Sequence, residues 1–302
     1  MPRCKRPPTT RGSEHWLRVA VNDASAFTNA KIKVALGWRT QKRNEWRSSI
    51  KKDEYSEYFD DAFLDRLGIR KLEVPLDEFW PAGGPRWDGL ARTSSGKILL
   101  VEAKAFTEES VDFECKAGSV SRKMICRALE QAKHAFKSNE RANWESLFYQ
   151  YANRLAHLQF LVSRNQIDGY LMFMCFANAP DVPSPCTGEY RKGADRLWRK
   201  CLGLGRHPYS RRDSTVVIDV PEMCDSCLVD DLRLWICLID SLHREKQVEH
   251  AVRRRAKGPE AYPTGEIPQG NPPSVANAIG HMLYMNKCWK DSSVSMRSEG
   301  SA

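Results

Sequence analysis

The chain has 302 residues, is 41% hydrophobic and carries a formal net charge of +9, which is enough apolar material for one sizeable core. No stretch approaches the roughly 18 to 20 consecutive apolar residues of a membrane span, and the start, MPRCKRPPTTRG, lacks the apolar middle of a secretory signal. The expectation is therefore a cytoplasmic protein without a membrane partner.

Charge is concentrated at one end. Residues 1–52 hold 13 Lys or Arg against Glu14, Asp23 and Glu45, a balance of +10, so the remainder is near neutral at −1. Such a segment suits phosphate-backbone contact, and Trp16, Trp38 and Trp46 interleave with the cations as a base-stacking surface would. The residues expected to meet nucleic acid are Trp38, Arg39, Lys42, Arg43, Arg47, Lys51 and Lys52. The bland alternative is a soluble basic face carrying core tryptophans.

In chain order, residues 1–13 read as a disordered basic N-terminus, 14–255 as a single domain, and 256–302 as a Pro/Gly-rich arm with a flexible tail. The spacing of Tyr55, Phe59, Ala62, Phe63 and Leu67 predicts a helix over 50–67, stopped by Gly68. A short strand is expected over 71–79 and a break at Pro81–Pro85. Arg86–Ala91 and Lys97–Phe106 read as two strands of a hairpin, with Gly96 in the left-handed conformation of its turn.

A helix follows over 119–136 with Ser119 as N-cap, then a second over 143–164. Gly169–Ala177 and Ser214–Val220 read as strands, with a short helix near 194–201 between them, and 241–255 as a charged peripheral helix. This order implies an α/β architecture, a central sheet flanked by helices. The ten cysteines are scattered; Cys224 and Cys227 form a CxxC, with Cys237 or His243 as conceivable zinc partners, but no second close pair follows. They read as free thiols in a solvated turn rather than a zinc site.

The stretch Gly96-Lys-Ile-Leu-Leu-Val-Glu-Ala-Lys-Ala-Phe106 runs an apolar strand straight into charge. Alternation puts Glu102 and Lys104 on one face and Val101, Ala103 and Ala105 on the other. A hairpin turning about Ser95 sets Asp88 opposite Glu102 and Arg86 opposite Lys104. Two opposed carboxylates repel unless a cation lies between them, and hard oxygen ligands suit Mg²⁺ or Mn²⁺. A neighbouring ammonium could position a metal-bound water, help deprotonate it, or stabilise charge building on phosphorus.

Pro85-Arg-Trp-Asp88, thirteen residues, then Glu102-Ala-Lys104 resembles the signature of the PD-(D/E)XK nuclease superfamily, the restriction-endonuclease-like fold, though here the proline stands three residues before the aspartate. The order helix, hairpin, helix over 51–136 resembles that family's core as well. The resemblance implies Asp88, Glu102 and the backbone carbonyl of Ala103 as ligands of Mg²⁺, for which Mn²⁺ would substitute, and Lys104 as the catalytic lysine. It further implies an acid from the first helix, Glu54 or Glu57, and a glutamine from the helix after the hairpin, Gln131.

The activity so implied is metal-dependent hydrolysis of phosphodiester bonds in nucleic acid, DNA favoured, in a restriction or defence role. A homodimer is the expected assembly where both strands of a duplex are cut. The alternative is a nuclease-fold module that binds nucleic acid without cleaving it, and a third class is an interaction protein whose hairpin charges are ordinary surface.

Overall fold

The computed structural model describes residues 3–5, 9–38, 44–105, 115–146, 148–189 and 199–228. At its centre lies β5 (Ile98–Lys104), in which all seven residues are buried. A strand whose residues point alternately to two covered faces reads as a continuous apolar run, and Ile98-Leu-Leu-Val101 is that run. One edge of β5 pairs antiparallel with β4 (Gly89–Thr93), and the other pairs parallel with β6 (Gly169–Ala177), whose nine residues are likewise all buried.

Outside these lie β2 (Asn44–Trp46), antiparallel to β4, and β7 (Asp213–Asp219), parallel to β6, giving the five-stranded order β2-β4-β5-β6-β7. A separate pair joins β1 (Arg3–Cys4) to β3 (Glu57–Tyr58), so part of the stretch expected to be disordered is a strand. The hairpin between β4 and β5 has the expected register: Gly89 faces Val101 and Arg92 faces Ile98. Its turn places Gly96 at φ +87°, with its N–H on the Thr93 carbonyl at 2.9 Å.

Helices cover both faces. On one, α1 (Gly12–Asn22) packs on β5 and β6 and α2 (Ser25–Ala35) on β7, around Leu17, Ala20, Leu99, Val101, Ala103, Met172 and Ile218. On the other, α3 (Asp61–Leu67), α4 (Leu76–Phe79), α5 (Ser119–Ala135) and α6 (Tyr149–Gln159) enclose Ile98, Leu100, Leu171 and Phe173 with Phe63, Trp87 and Phe136. The result is an α/β fold with a mixed sheet between helical layers.

Several expectations need correction. The helix over 50–67 is three pieces: a 3₁₀ turn at Lys51–Asp53, then β3, then α3. Polar side chains override the apolar spacing here. Asp53 accepts from Arg66 at 3.0 Å, and Asp60 takes the N–H groups of Gly83 and Gly84 at 3.0 and 2.9 Å, while Glu54, Tyr55 and Asp60 adopt positive φ. The stop at Gly68 is correct, at φ +72°.

No strand forms over 71–79; α4 lies there instead, because Leu76 and Phe79, three apart, both turn into the core. Helix α5 begins one residue early, with Gly118 rather than Ser119 at the N-cap. The helix expected over 143–164 starts at Tyr149 and ends in a π-helical turn, Phe160–Arg164. The CxxC lies on a helix spanning 220–228, not in a turn, and neither cysteine is in a disulfide. Cys237, His243, the 241–255 helix and the 256–302 arm lie outside the described residues.

Candidate metal and phosphodiester site

Glu102 and Lys104 sit on the face of β5 covered by α5 and α6, as alternation required, and are 1% and 6% exposed. Lys104 Nζ donates to Glu102 Oε1 at 2.7 Å and also to Gln150 Oε1. The other oxygen, Glu102 Oε2, accepts from Arg154 Nε at 2.7 Å. Arg154 then fastens this cluster to the chain around Asp88: it donates to the Arg86 carbonyl and to Asn153 Oδ1, both at 2.8 Å, and its guanidinium lies 4.9 Å from the Trp87 ring centre.

Asp88 occupies the bend just before β4, one residue beyond the last strand pair, Gly89 with Val101, and close enough to Glu102 for the two charges to act on each other. Its Oδ2 accepts the Ala103 N–H at 2.8 Å, and its carbonyl accepts from Ser49 Oγ at 3.0 Å. The residue as a whole is partly exposed, while its carboxyl lies buried with Glu102 and Lys104. The expectation that Arg86 faces Lys104 fails: strand pairing ends at Gly89, and the exposed Arg86 guanidinium lies over Phe59 at 5.5 Å.

The charges are unequal in their comfort. Burial pushes the Asp88 carboxyl well above the usual carboxylate range and the charge of Glu102 pushes it further, while Lys104, the Ala103 N–H and Arg154 pull it back only in part. For Glu102, burial acts against ionisation, yet Arg154 and then Lys104 outweigh it and hold the carboxyl below its ordinary value. Burial also acts against the Lys104 ammonium, and Glu102 and Asp88 reverse that, raising it. Glu102 and Lys104 are thus a charged pair, and Asp88 is the carboxyl whose ionisation the site opposes.

The sign of the resulting pH effect follows from linkage. An acid whose folded value is raised gives up its proton on unfolding, so Asp88 favours folding at low pH and increasingly opposes it above the ordinary carboxylate value of about 3.9. In metal-free buffer, Asp88→Asn is expected to unfold at a higher temperature than wild type at neutral pH, with the difference shrinking toward pH 4. Equal melting temperatures at both pH values would contradict this.

Not all the expected site residues gather here. Glu54 is exposed and pairs with Lys5 at 2.7 Å, so it is no part of the cluster. Glu57 is buried in β3, and the antiparallel bridge Tyr58–Trp87 places it across from Asp88. Gln131 instead accepts from Arg164 at 2.9 Å on the outer part of α5. The glutamine that reaches Lys104 is Gln150, one turn before Arg154 on α6. Spacing of four residues puts Gln150 and Arg154 on one helix face, and that pair of polar residues, followed by His157 one turn later on an otherwise apolar face, was the signal that could have identified them.

The chain matches no family model, no curated protein and no solved structure. Among the described residues no three His, Cys, Asp or Glu side chains group as a metal site, and no helix is long and apolar enough to cross a membrane.

The expected nucleic-acid residues divide similarly. Trp38 is core, edge-on to Tyr170 at 4.8 Å with Lys97 over its ring, because burying an indole against α1 and α2 is worth more than leaving it in water. Arg39, Lys42 and Arg43 lie outside the described residues. Arg47 is half-exposed and paired with Glu45 at 2.6 Å. Lys51 and Lys52 are exposed and line a cleft of about 510 Å³ beside Trp46. Ser49, which donates to the Asp88 carbonyl at 3.0 Å, lies two positions before Lys51, so the segment carrying these cations is tied to the Asp88 backbone.

Below the cluster, His157 sits among Phe63, Phe79, Trp80 and Trp87, its Nδ1 2.8 Å from the Asn153 carbonyl. Burial pushes it down to about 3, so it is neutral in the fold. Unfolding then takes up a proton between roughly pH 6.5 and 3, and stability should fall through that window by up to about 1.4 kcal/mol per pH unit from this group. Denaturant titrations should show that slope reduced in His157→Phe; an unchanged slope would remove the assignment.

Proposed function

We propose that the chain is a metal-dependent nuclease that hydrolyses phosphodiester bonds, with DNA as the favoured substrate and a restriction or defence endonuclease as the role. The observation that carries the reading is the convergence of Asp88, Glu102 and Lys104 on one buried, polar end of a central strand. A face so costly to bury needs a compensating function or partner.

The donor chemistry suits a hard divalent cation. Asp88, beside Glu102, has a carboxyl whose ionisation is opposed by burial and by its neighbour, the condition an ion relieves. Asp88, Glu102 and the Ala103 carbonyl would hold Mg²⁺ or Mn²⁺, with Glu57, across the β3 bridge from Asp88, as a further acid. Bound there, the ion would supply an acidified water and neutralise charge on the phosphate.

The chain's own residues would do the rest. Lys104, kept as an ammonium, orients the nucleophilic water and stabilises the developing charge; a raised lysine is unsuited to removing a proton. Gln150 fixes the ammonium from the helix side. Arg154 anchors Glu102, and Lys51 and Lys52 hold the phosphate backbone on the approach to Asp88.

One observation favours the non-cleaving alternative: both oxygens of Glu102 are already engaged by cations, so the ion must share them. Incubation of the full chain with plasmid and with single-stranded DNA, in Mg²⁺ and in EDTA, tests the reading. Mg²⁺ should also raise the melting temperature of wild type but not of Asp88→Asn. DNA binding without cleavage, and no thermal response to Mg²⁺ or Mn²⁺, would leave the binding module.

A further inference from the structure

A second polar site lies away from the carboxylates. Asp213 opens β7 and pairs with Leu171 of β6, whereas Glu102 and Lys104 pair with Phe173 and Cys175. Along the strands, at about 3.3 Å per residue, Asp213 is thus about 7 Å from the level of Glu102 and about 13 Å from that of Lys104, besides the width of a strand. Near Asp213 is a cavity of about 440 Å³ lined by Lys137, Arg206, His207, Pro208, Ser210 and Arg211.

Among the described residues its lining has three cations and no carboxylate. Lys137, Arg206 and Arg211 are exposed, and no side-chain hydrogen bond or ion pair joins any of them to a described partner. The His207 side chain is fully buried, and among the described residues neither ring nitrogen makes a hydrogen bond; Nε2 faces Asp213 Oδ1 at 3.6 Å, so Nδ1 is the nitrogen left for a ligand, reached once a small side-chain shift opens it to the cavity.

Its position is fixed from two sides. The ring packs on Phe136 at 4.8 Å, and its backbone N–H and carbonyl are both tied to Ser210 Oγ, at 3.0 and 2.7 Å. The end of α5 comes close here through Phe136 and Lys137, but its carbonyls are capped: Phe136, Lys137 and Ser138 donate to Ala132, His134 and Lys133. The helix end therefore presents few bare acceptors to repel an anion.

We propose that this cavity binds a phosphate group, with Arg206, Arg211 and Lys137 supplying charge and His207 the buried hydrogen bond. Burial holds His207 toward its neutral form, in which one ring nitrogen donates. Arginine forks match phosphate oxygens in pairs, and the cavity leaves room for whatever group the phosphate is attached to. The proposal does not depend on the nuclease reading, since it uses none of those residues.

The test is calorimetric titration of the full chain, in EDTA at constant ionic strength, with inorganic phosphate, a 5′-phosphorylated dinucleotide and its 5′-hydroxyl counterpart. Wild type should bind inorganic phosphate, and Arg206→Ala with Arg211→Ala should weaken it about a hundredfold, tenfold for each charged hydrogen bond lost. Both arginines are exposed, so the fold should survive. Asp88→Asn should bind as wild type.

A phosphorylated dinucleotide that binds more tightly than phosphate, while the hydroxyl form does not bind, supports the site and marks its ligand as a nucleic-acid end. Equal affinity for both phosphates supports the site with a free phosphate ligand. Undetectable phosphate binding, binding unchanged in the double arginine variant, or binding lost in Asp88→Asn would overturn the proposal.

Discussion

Replacement of Lys104 by alanine should lower Mg²⁺-dependent DNA cleavage by about a hundredfold to a thousandfold while leaving the protein folded. The magnitude is that of removing one preorganised donor from a charge-developing site. The fold should hold because Glu102 keeps Arg154, which donates to it at 2.7 Å, so no carboxylate is stranded without a cation. Single-turnover cleavage alongside circular dichroism separates the two effects. The same experiment on Gln150→Ala should show a smaller loss, and on Gln131→Ala none, since Gln131 is bound to Arg164 rather than to Lys104. Full activity in Lys104→Ala would end the catalytic reading of this strand.

Replacement of Arg154 should act on the fold itself. Its side chain is 4% exposed and that of Glu102 2%, so Arg154→Met leaves a buried carboxylate with Lys104 as its remaining cation, removes the hydrogen bond to the Arg86 carbonyl, and releases Asn153. Breaking such a pair from one side costs about 3–5 kcal/mol, a large share of the stability of an ordinary domain. Glu102 keeps Lys104 in this variant, so adding Glu102→Gln to Arg154→Met should recover only the part of the cost that comes from its half-compensated charge, the rest being the lost bonds to Arg86 and Asn153. A double-mutant cycle by urea unfolding measures the coupling. If the single variant loses less than about 1 kcal/mol, the guanidinium is not holding Glu102 in place.

How much of this could be read beforehand depended on whether a residue's role is local. The β4–β5 hairpin was legible because its register is set by a short turn and by alternation within a few residues; the same holds for the apolar β6 and for the Gly68 stop. The carboxylate pair followed from that register alone. The break-up of 50–67 was not legible, because Asp53 and Asp60 hold the chain through bonds to Arg66 and to Gly83 and Gly84, which apolar spacing does not register.

The N-terminal helices were hidden by charge. The balance of residues 1–52 drew attention to a surface, whereas Trp16, Leu17, Ala20 and Val21 form a helical stripe that is buried, and Trp38 with them. Arg154 and Gln150 were missed for a related reason: a polar residue on a helix is normally solvated, and only the fold shows that α6 lays these two across the end of β5.

The central strand is held by neighbours made at very different times. Its antiparallel partner β4 arrives before it through a tight turn, but Ile98 pairs on the other side with Gly169, and the guanidinium that neutralises Glu102 belongs to residue 154. During synthesis the hairpin emerges first, with its acidic end lacking both the arginine and the covering helix. Non-local parallel pairing is slow to form, so the chain passes through an interval in which Asp88, Glu102 and Lys104 exist but are not yet assembled. Termination between β5 and α6 should give a hairpin-bearing fragment that cannot bury its own charges, one for chaperones and proteases to recognise.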